Sequence, residues 1–374
     1  MNRKRYILIV ILINIFLLTA CYSYHDIDEA IYVTALIVDI DDNNEILIYI
    51  ECFKPMGGDS SNSQSGTRLI FKGAGKTIFE AVRTATLSSS LRINWTQNRV
   101  IMFTQRAAEY GLDNFVDFLD RDQELLIRAY VCTTNEDPVK LMETEYEENK
   151  YMGIFIIQMI EKVGSSSRAV KLSLNEYMKE RLIGDKTSVI PIINLKKGDI
   201  GAEKINIVGG AIIHKDKMIG SIERQEGQAY SFLMNNVKSG TLEPLNPQAE
   251  GKYVTLEILN SKTKTKIEYK EEKIIFKKII NVETALGEIQ GELEINDANL
   301  NKIKENTEEN IRKACVGFFQ VYKDENIDIF DVREVFNRKY PHEQVEDIMK
   351  ITELELEVNV SINFYNEIKD FKKS

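Results

Sequence analysis

One position in the chain offers a single, well-defined covalent chemistry. Cys21 closes the stretch Leu18-Thr19-Ala20-Cys21, which matches the bacterial lipobox, with the bond between Ala20 and Cys21 as the one to be cut. Only a thiol side chain can take diacylglycerol as a thioether, and the cut frees an α-amine for further acylation. Each buried methylene contributes about 0.8 kcal/mol, and stable anchoring takes at least two chains, which one diacylglyceryl group supplies. The preceding residues fit the same reading. Arg3-Lys4-Arg5 is a basic leader, and Ile7 to Leu18 is an apolar run broken only by Asn14. That order is a secretory signal, and the run is shorter than the roughly 20 residues that cross a bilayer. Residues 1–20 are therefore expected to be a lipoprotein signal peptide, and Cys21 to carry lipid.

The other candidate chemistry dissolves on inspection. Gly73-Ala74-Gly75-Lys76-Thr77 has the end of a phosphate-binding loop, but Ile70 stands where the motif needs its first Gly. A strand-to-helix turn is the expectation there. His25, His214 and His342 are far apart and none has zinc spacing with Cys or carboxylates; His214 falls in a hairpin, where a surface role is the default. The acidic run Glu143 to Glu148 lacks the alternation and central Gly of a calcium loop. Cys52, Cys132 and Cys315 lie in apolar stretches and read as three buried thiols. No catalytic, cofactor-binding or metal-binding residue is expected, and no cofactor.

Charge narrows the partners. The chain carries −10, and without residues 1–20 it carries −13. An acidic body argues against nucleic acid and is repelled by an anionic bilayer, so a lipid must supply the attachment.

The elements that would position such residues follow from hydrophobic periodicity. Ala30 to Asp39 and Glu45 to Phe53 read as strands joined by the turn Asp41 to Asn44. Gly57 to Thr67 reads as a loop, Arg68 to Lys72 as a strand, and Lys76 to Ser89 as a helix. Strands at Val100 to Thr104 and Leu125 to Thr133, and helices at Gly111 to Leu119, from Pro138, and at Tyr151 to Val163, continue the first half. Gly184 to Gly201 is mixed in character, and the boundary is placed there. Next come a hairpin, Ile205 to Glu223, and strands at Tyr253 to Leu259, Lys264 to Tyr269 and Ile274 to Val282. Helices at Ala298 to Lys323 and Asp328 to Lys339 follow. Leu354 to Phe364 alternates apolar and polar without a break, the pattern of a strand with one wet face.

Strands follow strands and helices follow helices, so the fold class is α+β, multi-domain, with mostly antiparallel mixed sheets and packed helices, and not doubly wound. The expected organisation is a signal peptide at 1–20, an N-terminal α+β region at 21–198 with room for two subdomains, and a C-terminal α+β domain at 199–368.

Several stretches, in order, resemble the Ger(x)C family of spore germination lipoproteins. They are His25 to Ala30 after the lipobox with Val33 to Asp39, Gly75 to Arg83, Asn98 to Phe103 with Ala107 to Leu112 and Asp120 to Glu124, Gly209 to Gly220, and Asn326 to Phe330. Two positions depart from the family pattern: Tyr22-Ser23 replace its usual Trp-Asp, and Thr96-Gln97 stand where it often has His. The resemblance implies a lipid-anchored, non-enzymatic subunit of a nutrient germinant receptor, on the outer face of the spore inner membrane. Its implied partners are integral membrane A-type and B-type receptor subunits and the membrane lipid reached through Cys21. Only Cys21 is carried over as a functional residue. The alternative is an extracytoplasmic solute-binding lipoprotein of a transporter, which would need two α/β lobes around a cleft. A lipoprotein hydrolase lacks a recognisable nucleophile constellation.

Overall fold

Strand β1 (Ala30–Ile40) is apolar on both faces, and such a strand must be covered on both. The computed structural model of the chain describes residues 30–55, 66–121, 128–144, 150–162, 170–196 and 203–363. In it Leu36 and Val38 enter one core while Ala35 and Ile37 enter another on the opposite side of the sheet. The turn after β1 is made by Asp41, whose Oδ1 accepts the N–H groups of Asn43 at 2.8 Å and Glu45 at 2.7 Å. β2 (Ile46–Lys54) then returns antiparallel to β1, and β3 (Thr67–Gly75) antiparallel to β2. The loop expected at Gly57 to Thr67 lies outside the described residues up to position 65.

Gly73 and Gly75 let α1 (Ile78–Thr86) lie directly on β3. A Cβ at Gly73 would stand 2.0 Å from the Ala81 carbonyl oxygen. Thr77 caps the helix by accepting the Glu80 N–H at 3.1 Å, so Gly73 to Thr77 is a strand-to-helix turn. β4 (Arg92–Asn94), β5 (Val100–Thr104), α2 (Gln105–Tyr110), α3 (Asp113–Arg121), β6 (Tyr130–Thr134), α4 (Pro138–Glu143), α5 (Met152–Lys162) and α6 (Leu174–Glu180) follow. β7 (Thr187–Lys196), β8 (Lys204–His214) and β9 (Lys217–Glu223) complete a nine-stranded sheet, in the order β3-β2-β1-β5-β6-β7-β8-β9 with β4 beside β1. β1, β5, β6 and β7 run parallel in its middle, with antiparallel strands outside. This is a mixed sheet, and its order is not that of a doubly wound fold.

β7 fills the stretch read as a mixed segment. Pro191 within it is tolerated because β7 meets β6 only at Thr133↔Ile192 and carries a register shift at Ile192/Ile193 against β8. The boundary expected between 198 and 199 falls between β7 and β8. These strands pair from Thr187↔His214 to Lys196↔Lys204, so the hairpin read as the start of the second half completes the first sheet. Its other face turns toward the second body, where Val189, Ile212 and Ile222 join the second core.

The second body holds α7 (Gly227–Leu233), β10 (Gly240–Leu242), β11 (Val254–Lys270), β12 (Lys273–Ile289), α8 (Asp297–Asp324), α9 (Val332–Lys339) and β13 (Thr352–Asn363). The sheet order is β10-β11-β12-β13, with β13 parallel to β12. The three strands expected between 253 and 282 are two long ones, because β11 absorbs the polar residues Asn260 to Thr263 at a bulge between Ile258 and Asn260 instead of breaking there. β13 keeps its register. Val358 and Val360 are buried while Glu353, Glu355, Glu357 and Asn359 face solvent. Phe364 lies outside the described residues.

Candidate functional site: the polar junction between the two bodies

The two sheets meet where the turn before β7 and the β8–β9 turn face α9. Four of these residues adopt left-handed backbone angles: Gly184 at φ 57°, Lys186 at 56°, Lys215 at 49° and Asp216 at 65°. A Cβ on Gly184 would come within 3.2 Å of the Glu334 Cβ, so the bodies touch here and only Gly fits without adjustment.

Two carboxylates organise the contact. Asp216 accepts Tyr177 Oη–H at 2.7 Å, Arg181 Nε–H at 2.8 Å and a second Arg181 N–H at 2.5 Å. Burial opposes its ionised form, but the Arg181 and Tyr177 hydrogen bonds outweigh it and hold the carboxyl below the usual range. Asp185 reaches across to the other body, where its Oδ1 accepts Arg333 Nε–H at 2.9 Å. The same guanidinium donates to the carbonyls of Val345 at 2.6 Å and Glu346 at 2.5 Å, so one planar side chain ties together three segments. Asp328 orients this arginine by accepting the backbone N–H groups of Phe330, Val332 and Arg333. Asp185, Arg333 and Glu346, with His214, Lys215 and Asn326, line a polar cavity of about 380 Å³.

His214 is half-buried in that cavity rather than lying freely on a hairpin surface. Its Nδ1 meets Thr187 Oγ1 at 3.0 Å and Asp185 Oδ2 at 3.8 Å. Both partners approach the same ring nitrogen. A nucleophile–base–carboxylate relay needs them on opposite nitrogens, so this trio does not have the geometry of one. Burial also pushes the imidazole pKa down, with Asp185 acting against it. What the arrangement does is hold two bodies in register.

Deeper in the junction is a second group of charges. Lys278 of β12 faces the core, donates to the Leu233 carbonyl at 2.9 Å and stands 4.6 Å over the Phe276 ring. Burial pulls its ammonium down to about 8, against the pull of Asp331 and Asp328. Burial lifts Glu180 to about 7, opposed by a Ser188 hydrogen bond and reinforced by Asp331. Asp331 itself rises to about 6 through burial and the neighbouring Asp328.

Most of these residues were invisible in the sequence. The one usable signal was a lone charge inside an apolar strand. Glu51 in β2 is such a case: fully buried, it accepts Arg68 Nε–H and Thr34 Oγ1–H, each at 2.6 Å, and the Met152 and Gly153 N–H groups that open α5. Asp39 in β1 is another, held by Thr104 at 2.5 Å and Arg106 at 2.7 Å. Cys52, Cys132 and Cys315 are free and buried, and burial raises Cys52 and Cys315 to about 12. Ala20, Cys21 and His25 lie outside the described residues, as does most of the acidic run after Thr144. Among the described residues no cluster could hold a metal ion, and no helix is long and apolar enough to cross a membrane.

Comparison with known proteins fits this architecture. Residues 23–195 match the spore germination protein N-terminal domain, and residues 208–368 match the spore germination B3/GerAC-like C-terminal domain. Spore germination protein GerQC of Bacillus cereus is 24% identical over 267 residues, covering 71% of this chain and 70% of its own. Spore germination protein A3 of Bacillus subtilis (strain 168) is 24% identical over 280 residues, covering 73% and 71%. The crystal structure of the GerBC protein superposes with a TM-score of 0.57 at 16% identity, over 87% of this chain and 96% of that one, so the fold is shared. Matched from residue 23 to residue 368 by both domain models in order, the chain belongs to the Ger(x)C family of spore germination proteins.

Proposed function

We propose that this chain is the lipid-anchored, non-catalytic C-type subunit of a nutrient germinant receptor. Lipid on Cys21 holds it to the outer face of the spore inner membrane, where it works with integral A-type and B-type subunits. The observation that carries this reading is the pair of domain matches. They cover the chain in order and begin two residues after Cys21. The junction supports it, because its buried and ion-paired groups fix one body against the other and give a rigid surface for partner subunits. A tether raises the local concentration of such partners, so modest interfaces suffice.

Metabolic lipid labelling of the protein and of Cys21→Ala tests the anchor, and germination of spores lacking the protein tests the role. Label on the wild type alone, with loss of a nutrient response on deletion, supports the reading. Normal germination combined with failure to take up one solute supports a transport lipoprotein instead.

A further inference from the structure

The second sheet keeps one face open. On its other face Ile274, Phe276, Ile280 and Val282 of β12 join the second core. Ile275 and Ile279 point the opposite way, are half-buried and join none of the cores. Strand register lays the open face out in rows across β11, β12 and β13. From the β11 bulge toward the β11–β12 turn the rows are Asn260-Glu283-Ser361, Lys262-Asn281-Asn359, Lys264-Ile279-Glu357, Lys266-Lys277-Glu355 and Glu268-Ile275-Glu353. Lys270 stands opposite Lys273 at the turn. The Asn359 side-chain amide donates to Asn281 Oδ1 at 3.2 Å, as neighbours on one face should.

The charges on this face are sorted by strand. β11 carries Lys262, Lys264, Lys266 and Lys270 with Glu268, β13 carries Glu353, Glu355 and Glu357, and the two isoleucines lie between. Lys270 pairs with Glu268, Lys273 with Glu353 at 2.7 Å and Lys277 with Glu357 at 3.7 Å. Lys262, Lys264, Lys266 and Glu355 are exposed and make no ion pair among the described residues.

We infer that this face is where two copies of the chain pair, β11 of each lying across β13 of the other about a twofold axis parallel to β12. The inference goes beyond the receptor-subunit reading and does not depend on it. A face that is basic along one strand, acidic along another and apolar between them is its own complement, which is what an isologous contact requires. The axis exchanges β11 for β13 and keeps each row at its height. Lys266 then lies over Glu355 of the second copy and Lys264 over its Glu357, while Ile275 and Ile279 meet their own equivalents. Glu268 lies over Glu353 and Lys277 over Lys277, but these charges are already paired within their own chain. Lys273 and Glu283 meet their equivalents at the two ends, where sheet twist splays the copies into water. A twofold axis across the strands would instead stack lysine on lysine and glutamate on glutamate. An anionic bilayer would be repelled by the glutamate row. The patch is about 34 Å long and about 14 Å wide, so two copies bury roughly 1,000 Å², the size of a weak, reversible contact.

Sedimentation equilibrium of the full-length chain, in an excess of nonionic detergent micelles and up to about 0.5 mM protein, tests this. A reversible dimer is expected. Lys266→Glu strikes both symmetry-related contacts and should weaken it roughly tenfold, and Glu355→Lys should do the same. Mixed together, the two variants should associate with each other more tightly than either does with itself, and a chain carrying both substitutions should recover the dimer. Melting of each variant at low concentration should match the wild type, since both positions are exposed. Ile279→Cys, on the axis, should form an intermolecular disulfide under mild oxidation, with Cys52, Cys132 and Cys315 buried out of reach. A monomer at every concentration overturns the inference. So does a dimer that ignores both charge reversals, or one that cross-links through Lys264→Cys and not through Ile279→Cys.

Discussion

Arg333 and Asp185 stand 2.9 Å apart across the junction, one on α9 of the second body and the other in the turn that feeds β7 of the first. Both side chains are about one-fifth exposed, so water only partly screens them. Arg333→Ala should lower stability by about 2–3 kcal/mol, since Asp185 and two carbonyls lose their donor together. Arg333→Lys should recover little, because one ammonium cannot address acceptors in three directions. Urea denaturation measures both, and an unchanged midpoint for Arg333→Ala would contradict the assignment.

Glu51 carries a different kind of load. Removing its carboxylate takes the acceptor from Arg68 Nε–H and from the first N–H groups of α5. Glu51→Ala should therefore cost about 3–5 kcal/mol. Glu51→Gln should also destabilise, because its amide turns an N–H toward groups that are themselves donors. Thermal melting that matches the wild type for both variants would refute this.

Neighbouring residues of β13 should respond in opposite ways. Val358 is 3% exposed and Glu357 faces solvent, 3.7 Å from Lys277. Val358→Asp places an unpaired charge in the core and should cost several kcal/mol, roughly 3 or more. Glu357→Lys should shift stability by about 0.5 kcal/mol or less. Equal losses in denaturant titrations would mean the register of β13 is wrong.

The deep charges make a pH signature. Glu180 and Asp331 titrate at about 7 and about 6 in the folded protein, above their unfolded range. Between that range and about pH 7 the folded state binds the extra protons, so this part of the stability is full in acid and lost as pH rises through 7. Lys278, lowered to about 8, works the other way: its contribution improves as pH rises above 8. Glu180→Gln needs no proton and should raise stability above pH 7 by about 1–3 kcal/mol, with a flatter profile below. Denaturation midpoints from pH 4 to pH 9 read this directly, and an unaltered slope in the variant would rule it out.

Where one periodicity dominates, the sequence announces the element. β13 alternates over its whole length and α8 carries one apolar stripe through Ile303, Ile311, Cys315 and Phe319, and both fold as the patterns require. β7 was hidden because Pro191 argues against a strand, and its tolerance depends on a sparse contact with β6 that no local pattern records. The junction was hidden for a related reason. Asp185 and Arg333 are 148 positions apart, and each reads locally as an ordinary surface charge. Only the fold brings them together. The lipidation proposed at Cys21 is the reverse case, since the motif that suggests it is four consecutive residues and involves no tertiary contact.

The central claim is that this chain makes spores responsive to nutrient from a lipid-anchored position, and the most direct test is germination of matched wild-type, deletion and Cys21→Ala spores exposed to a panel of nutrients. The deletion should abolish the response to at least one nutrient while germination by a non-nutrient trigger persists, and Cys21→Ala should weaken the same response with the folded protein still present. Deletion spores that answer every nutrient at the wild-type rate would contradict it.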